Sequence, residues 1–409
     1  MGSIALALAF LVAQEANSPA PASAPPTPVA APASAFPDAA PAEVGLDPEA
    51  LARLGAKVQA FVDEGEIVGA ELVVVAKHRT AYRATFGWED LEKKTAMPPC
   101  GIFCVRSMTK PVCGTAIQLL VDRGELSLDD KIAQYFHSFD HDDAAQITVR
   151  HLLTHTGGLP MSQFLGRRPL QDAKDLPDIA DVAGEFGPKT KPGEVFNYSD
   201  DGSDTLGALV EQLSGKTLDR FLAEELFDPL AMRDTIGVLK DGDPRLPRVH
   251  GLYIGGAENW TRYWEPGKPP IFKFLMASQS LYASIDDYAR FLALWMDGGA
   301  AGGKRLLSKE AVERALVPGP AMLGSPIGFR GWKLFYGQLW MVYVDPKRAP
   351  GKQVVAFGHN GSDGTFAYAF PERDLMVFYF TQSRQQRTGE TFEQTLQETL
   401  LVPPAPKEE

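Results

Sequence analysis

Cysteine is scarce in this 409-residue chain: Cys100, Cys104 and Cys113 are the only three, all inside one stretch of fourteen positions. An odd, clustered set this small builds no disulfide framework. It leaves a Cys100–Cys104 bridge in an oxidising compartment or, the expected state, buried free thiols. Long basic runs are missing too, and the formal net charge is −12. Nucleic acid and anionic membrane both select clustered Lys and Arg, so neither is expected as a partner, and the acidity serves solubility. Beyond the first 16 residues no apolar run approaches the roughly 20 residues that cross a bilayer, so no integral membrane segment is expected in the mature chain. Gly-x-Ser-x-Gly is absent, which argues against the nucleophile turn of the α/β-hydrolases. A phosphate-binding P-loop is absent as well. His137 and His141, like His151 and His155, stand four apart, a spacing that can hold a metal, but no His-Glu-x-x-His pattern accompanies them. No metal and no cofactor is expected. There are no internal repeats.

What is present has an ordinary soluble composition, 44% apolar and 22% charged residues. The length suits one large domain or two that share a site. Ile4 to Ala13 forms a short apolar run that reads as the core of a secretory signal over residues 1–16, with Ala16 as a cleavage-site residue. No Lys or Arg precedes it, and Glu15 sits beside the cleavage point. The chain is expected to be periplasmic or secreted if processed and cytoplasmic if not. Residues 17–43 are rich in Pro and Ala and read as a linker that buries no core. The folded domain is expected from Val44 to about 402. Asp47-Pro48-Glu49 is a helix start, and Leu51, Leu54, Val58, Phe61 and Val62 share one helical face.

Strand-like runs cover Ala70–Ala76 and Ala81–Trp88, with a turn at Thr80. Near the other end they cover Val354–Phe357, Thr365–Phe370 and Leu375–Thr381, before a helix striped by Phe392, Leu396 and Leu400. Helical patterns dominate between, at Ala116–Asp122, Thr205–Leu213, Leu218–Leu226 and Asp286–Trp295. The expected fold class is α+β. Both chain ends build one antiparallel sheet with helices packed on it (about 44–105 and 300–402), and residues 106–299 form a mostly helical lobe.

Arg106-Ser107-Met108-Thr109-Lys110 opens one of the helices, and Pro111 fits only its first turn. A Ser and a Lys three apart share a helix face. The free N–H groups and positive dipole end of the helix N-terminus favour an alkoxide there. Serine is a weak nucleophile until a neighbour takes its proton, which a desolvated lysine or a tyrosine held near a lysine can do. This is the only Ser-x-x-Lys in the chain. Two more segments extend the pattern: Phe196-Asn197-Tyr198-Ser199-Asp200 before a helix, and Gly358-His359-Asn360-Gly361-Ser362 at the start of a predicted strand.

The order Ser-x-x-Lys, Tyr-x-(Asn/Asp), (Lys/His)-x-Gly resembles the serine β-lactamase and penicillin-binding-protein superfamily. Within it, the chain is similar to the class C β-lactamase-related branch that includes the family VIII carboxylesterases. Leu152-Leu153-Thr154-His155-Thr156-Gly157-Gly158-Leu159-Pro160 and Leu281-Tyr282-Ala283-Ser284-Ile285-Asp286-Asp287 resemble hallmarks of that branch. The resemblance spans roughly residues 44–400. It implies an acyl-enzyme serine hydrolase with Ser107 as nucleophile and Lys110 and Tyr198 as a coupled base pair. It further implies an oxyanion hole from the Ser107 and Ser362 N–H groups, and substrate contacts from Asp200, His359, Asn360 and Gly361. Gly361 would let its strand approach the substrate closely. A free tyrosine titrates near pH 10, so acting near neutrality requires a preference for the phenolate of about 4 kcal/mol, with Lys110 the candidate source. His155 is expected to be structural.

Two departures bear on the substrate. β-Lactamases usually carry Asn where this chain has Asp200. A carboxylate cannot donate to an acyl-amide carbonyl, and it would hold Lys110 protonated. They usually carry Lys where this chain has His359, and a mostly neutral imidazole grips a substrate carboxylate less well. Both changes favour a small-molecule ester of a small or medium acyl group. A β-lactam or D-amino-acid amide is the alternative, and an acyltransferase or an inactive ligand-binding homologue is a further one. Trp260-Thr261-Arg262-Tyr263-Trp264, with Phe272 and Phe274, could wall an acyl pocket or pack on its own domain. Met161 to Leu170 reads as a loop at the site entrance.

Overall fold

Helix α1 (Pro48–Asp63) begins where the Asp47 side chain accepts the Glu49 N–H, with Pro48 in the first turn, where a missing N–H costs nothing. Leu51, Leu54, Val58 and Phe61 are its buried stripe. The computed structural model describes residues 34–162, 172–256, 259–319, 328–351 and 353–401. The apolar run Ile4–Ala13, the first part of the linker and most of the Met161–Leu170 loop lie outside the described residues. The chain then forms the hairpin β1 (Gly69–Ala76) and β2 (Arg79–Asp90) and the short strands β3 (Thr95–Ala96) and β4 (Ile102–Cys104). The hairpin turns at Lys77 and His78, both at positive φ, and Thr80 already pairs with Val75.

The middle carries α2 (Thr109–Asp122), α3 (Val149–Leu153), α4 (Leu176–Phe186), α5 (Asp200–Ser214) and α6 (Leu218–Leu222). Strands β5 (Leu252–Ile254), β6 (Thr261–Trp264) and β7 (Tyr282–Ser284) lead into α7 (Ile285–Met296). The last third holds β8 (Ala300–Ala301), β9 (Lys304–Arg305), α8 (Lys309–Ala315), β10 (Lys333–Tyr336), β11 (Met341–Val344) and β12 (Val354–Asn360). It closes with β13 (Phe366–Phe370), β14 (Leu375–Thr381), β15 (Ser383–Arg384) and α9 (Gly389–Leu396).

The two chain ends meet as expected. The eight-stranded sheet runs β10-β11-β12-β13-β14-β1-β2-β3, and β1 pairs antiparallel with β14 through partners such as Val73 and Phe378. Every residue of β1 and β14 is buried, because helices cover both faces. Successive side chains point opposite ways. Phe380 meets Tyr288 of α7 at 6.1 Å, while Tyr379 stacks on Phe392 of α9 at 4.5 Å. Helix α7 therefore belongs to the sheet layer, which corrects the helical-lobe boundary placed at 299. Strands β10 and β11 were not anticipated; at four residues each they carry too little periodicity to register.

Packing also starts earlier than Val44. The Ala35 N–H donates to Asp286 at 2.8 Å and the Ala39 N–H to the Thr80 carbonyl at 2.9 Å. Asp286 also accepts two bonds from Arg83, whose other arm reaches the buried Glu71 at 2.6 Å. Among the described residues, no helix is long and apolar enough to cross a membrane.

On α9, Glu393 is buried beside the Tyr343 hydroxyl, and burial pushes its carboxyl up to about 7. A folded-state value above the unfolded one means that the folded protein holds the extra proton. Stability is therefore lost as pH rises from the ordinary glutamate range to about 7, by up to about 3 kcal/mol. Between pH 5 and 8, Tm of the wild type should fall by a few degrees more than Tm of Glu393→Gln. Parallel Tm–pH curves would refute this.

Candidate active site

Strand β4 pairs with β7 and delivers the chain to Ser107. The Val105 N–H donates to the Leu281 carbonyl at 2.9 Å, and the Leu281 N–H returns to the Thr109 hydroxyl at 3.1 Å. The Tyr288 hydroxyl donates to Met108 O at 3.0 Å. The 281–288 segment thus acts as the frame of the Ser107 turn. Arg106 sits at φ 50, a left-handed conformation that costs a non-glycine residue about 1 kcal/mol or more and persists only where surroundings impose it. A 3-10 turn over Arg106–Met108 then runs into α2, which places Pro111 in the first helical turn, as read from the sequence.

Lys110 is completely buried. Its ammonium donates to Asp200 at 2.6 Å and to the Ser278 carbonyl at 2.9 Å, and lies 3.5 Å from Ser107 Oγ. Burial alone would depress the lysine, but the Asp200 carboxylate outweighs it and the net shift is upward, so Lys110 is a cation. Asp200 reaches it because Ser199 caps α5, accepting the Gly202 N–H at 3.0 Å. The Ser278 loop is fixed from behind by Asp204, which accepts both the Ser278 N–H and its hydroxyl. Tyr198 lies against the same ammonium, 4.5 Å from Nζ to ring centroid, and its hydroxyl interacts with Ser107 and Lys110.

Lys110 does lower the Tyr198 pKa, as expected, but the net lowering expected from it is not found. Burial raises it more than Lys110 lowers it, Asp200 adds to the rise, and Tyr198 rests as a neutral phenol. Sequence alone cannot weigh burial against a charge whose own partner is already engaged.

His155 forms the wall behind Tyr198, its ring 4.5 Å away. Its carbonyl accepts the Asn197 N–H at 2.8 Å and its Nδ1 the Ser199 N–H at 3.3 Å, so it shapes the tyrosine loop. Burial, then the Lys110 charge, keeps it neutral.

His359 is also buried, and the same two causes press it down to about 3. Its Nδ1 donates to Asn360 O at 2.8 Å, and its Nε2 accepts from the Tyr336 hydroxyl at 2.8 Å. Both ring nitrogens are occupied, so the expected substrate contact from His359 is not available. The GHNGS segment ends β12 rather than starting a strand. Strand alternation turns the Asn360 side chain to the other face, where it meets Glu393, so Asn360 is no substrate contact either.

The 361–365 turn is tied to the Ser107 turn. A side chain on Gly361 would lie 2.5 Å from Val105 O and 2.1 Å from the Thr365 hydroxyl. The glycine thus serves backbone-to-backbone packing, which corrects its reading as a residue that makes room for substrate. Asp363, fully buried, accepts from Arg106 Nε at 2.6 Å and Arg384 at 3.2 Å. Arg384 also donates to Ser362 Oγ at 3.2 Å. These ties bring the backbone at Ser362 to the side of the cleft where Ser107 stands. Arg106, Asp363 and Tyr336 were missed from sequence: ion pairs and hydroxyl contacts across such separations leave no local signal.

The aromatic stretch divides. Tyr263 hydrogen-bonds Arg106, and Phe272 lies 5.5 Å beneath its guanidinium. Trp260 donates to Gly65 O at 2.8 Å and Trp264 is buried against Tyr282, so both pack on their own domain. All three cysteines are free: Cys104 and Cys113 are buried and Cys100 half-buried. Burial pushes the Cys100 thiol up to about 11. His151 helps cap α3, and His141 bonds the Gly184 carbonyl.

The chain belongs to the beta-lactamase family, whose model matches residues 54–399. It is thus a serine hydrolase of the β-lactamase fold. Esterase EstB of Burkholderia gladioli is 29% identical over 387 residues, covering 78% of this chain and 95% of the esterase. EstCE1, a hydrolase with promiscuous acyltransferase activity, matches in fold with a TM-score of 0.70 at 21% identity, over 87% of this chain and 99% of that one. The D-amino acid amidase of Ochrobactrum anthropi SV3 matches with a TM-score of 0.68 at 21% identity, over 86% and 96%.

The buried Lys110–Asp200 pair makes a stability prediction. Asp200→Asn leaves an ammonium without its counter-charge and should cost about 3–5 kcal/mol. Adding Lys110→Met should restore much of that loss in denaturant unfolding, though not activity. Equal destabilisation by single and double variants would contradict the pairing.

Proposed function

We propose that the protein is a carboxylesterase acting on small to medium, largely apolar acyl esters through an acyl-enzyme at Ser107. Reaction begins from the minor form in which Tyr198 has released its own proton to solvent: Ser107 Oγ attacks the ester carbonyl and its proton passes to the Tyr198 phenolate oxygen. The oxyanion accepts from the Ser107 and Ser362 N–H groups. Tyr198 returns the proton to the leaving alkoxide. Water then attacks the acyl-enzyme, giving its proton to Tyr198, which reprotonates Ser107 as the acid departs. Lys110 remains a cation and stabilises each phenolate.

The observation that carries the ester reading is the state of His359. A neutral, buried imidazole with both nitrogens engaged cannot grip a substrate carboxylate. Exposed apolar groups support it: Met161, whose carbonyl accepts the Asp200 N–H, Val195 just before Tyr198, and Tyr263 on Arg106. Kinship with EstB agrees. One observation favours a second reading, an amide hydrolase for carboxylated substrates: Arg384, beside Ser362, is partly exposed and shares Asp363, its one carboxylate partner among the described residues, with Arg106.

Ester and β-lactam turnover decide between them. A p-nitrophenyl butyrate assay should give a higher kcat/KM than a chromogenic cephalosporin, and Ser107→Ala should lower ester turnover by about three orders of magnitude or more. Faster cephalosporin turnover would favour the second reading. Near-normal activity of Ser107→Ala would remove Ser107 as nucleophile.

A further inference from the structure

Tyr336 closes β10, fully buried, and its hydroxyl has one proton and two acceptors within reach. One is His359 Nε2 at 2.8 Å, an acceptor because the ring proton sits on Nδ1 and points at the Asn360 carbonyl. The other is the Tyr198 oxygen, which lies close enough to interact with the Tyr336 hydroxyl but is not its partner while the bond to His359 is made. The two tyrosine rings meet edge to face, centroids 6.0 Å apart. The reaction steps above make no use of this hydroxyl.

The geometry points to Tyr336 as a positioning residue for the base: its hydroxyl donates to His359 while Tyr198 is a phenol and turns to the Tyr198 oxygen when that phenol loses its proton. The inference rests on reading Tyr198 as the base. Its physical basis is a competition. A hydrogen bond to a phenolate is charge-assisted and stronger than one to a neutral imidazole. A His359 nitrogen left without a donor in a buried site opposes the turn. The proton inventory balances: Tyr198 releases its own proton to solvent, Tyr336 only reorients its O–H, and the proton from Ser107 then ends on the Tyr198 phenolate.

The groups facing Tyr198 isolate its titration. They are Ser107 in the turn before α2, Lys110 at the start of α2, Asp200 at the head of α5, His155 after α3, Tyr336 on β10 and His359 on β12. Lys110 stays charged in its ion pair, and burial holds both histidines neutral and the Tyr336 hydroxyl protonated. On the alkaline side, the change in Ser107 reactivity therefore reports Tyr198.

The test follows the rate at which an uncharged fluorophosphonate labels Ser107 between about pH 6 and pH 10, which needs no knowledge of the substrate. Labelling of the wild type should rise with pH. In Tyr336→Phe, which keeps the ring, the rise should move up by about one pH unit, with about tenfold slower labelling at pH 8. His359→Phe, which frees the Tyr336 hydroxyl for Tyr198, should move the rise the other way. If that variant does not fold, Tyr336→Phe decides alone. A Tyr336→Phe curve that overlays the wild type overturns the inference, as does a shift in the same direction for both variants. Wild type that never labels overturns it together with the base reading. Wild type that labels but leaves esters intact defeats only the ester reading, and the pH curves still judge Tyr336.

Discussion

A fully buried ammonium is the constraint on which the rest of this site depends. An unpaired cation is not tolerated in a protein interior. Lys110 is accommodated because α5 brings Asp200 to it and the 278 loop brings a carbonyl. Three separate stretches of chain must therefore close on one nitrogen. Asp204 and Ser199 are part of the same requirement, since each fixes a segment that supplies Lys110 with a partner. The field of that ammonium helps to keep His155 and His359 neutral and draws Tyr198 to its side.

A second ion pair organises the opposite wall. Arg106 precedes the nucleophile in a left-handed conformation, and Asp363 lies one residue past Ser362. Their union ties the two turns that would supply the oxyanion donors. The sheet makes it possible, because β12 ends beside β4 only once both chain ends have joined through β1 and β14. Strain at Arg106 persists there because the surrounding bonds over-determine it.

An esterase and an amidase share this fold, so selectivity must come from what surrounds the serine. Here the surroundings are a neutral imidazole, a carboxylate already committed to Lys110, and apolar side chains at the rim. None of these rewards an anionic substrate group. Arg384 is the counterweight, and its pairing with Asp363 limits how much of its charge reaches the cleft.

Much of this was legible in the sequence. The α1 start at Asp47-Pro48, the paired runs that became β1, β2, β13 and β14, and the α9 stripe are local patterns, set by side-chain periodicity and capping chemistry. The Ser107, Lys110, Tyr198 and Asp200 cluster was marked by motif order, and the charge of Lys110 followed from Asp200 carrying a carboxylate. The face on which Asn360 lies, the double engagement of His359, the Arg106–Asp363 tie and the resting state of Tyr198 were decided only by tertiary structure. Each depends on distance and burial between residues far apart in the chain. A pKa or an ion pair depends on the three-dimensional surroundings, which periodicity along the chain does not encode.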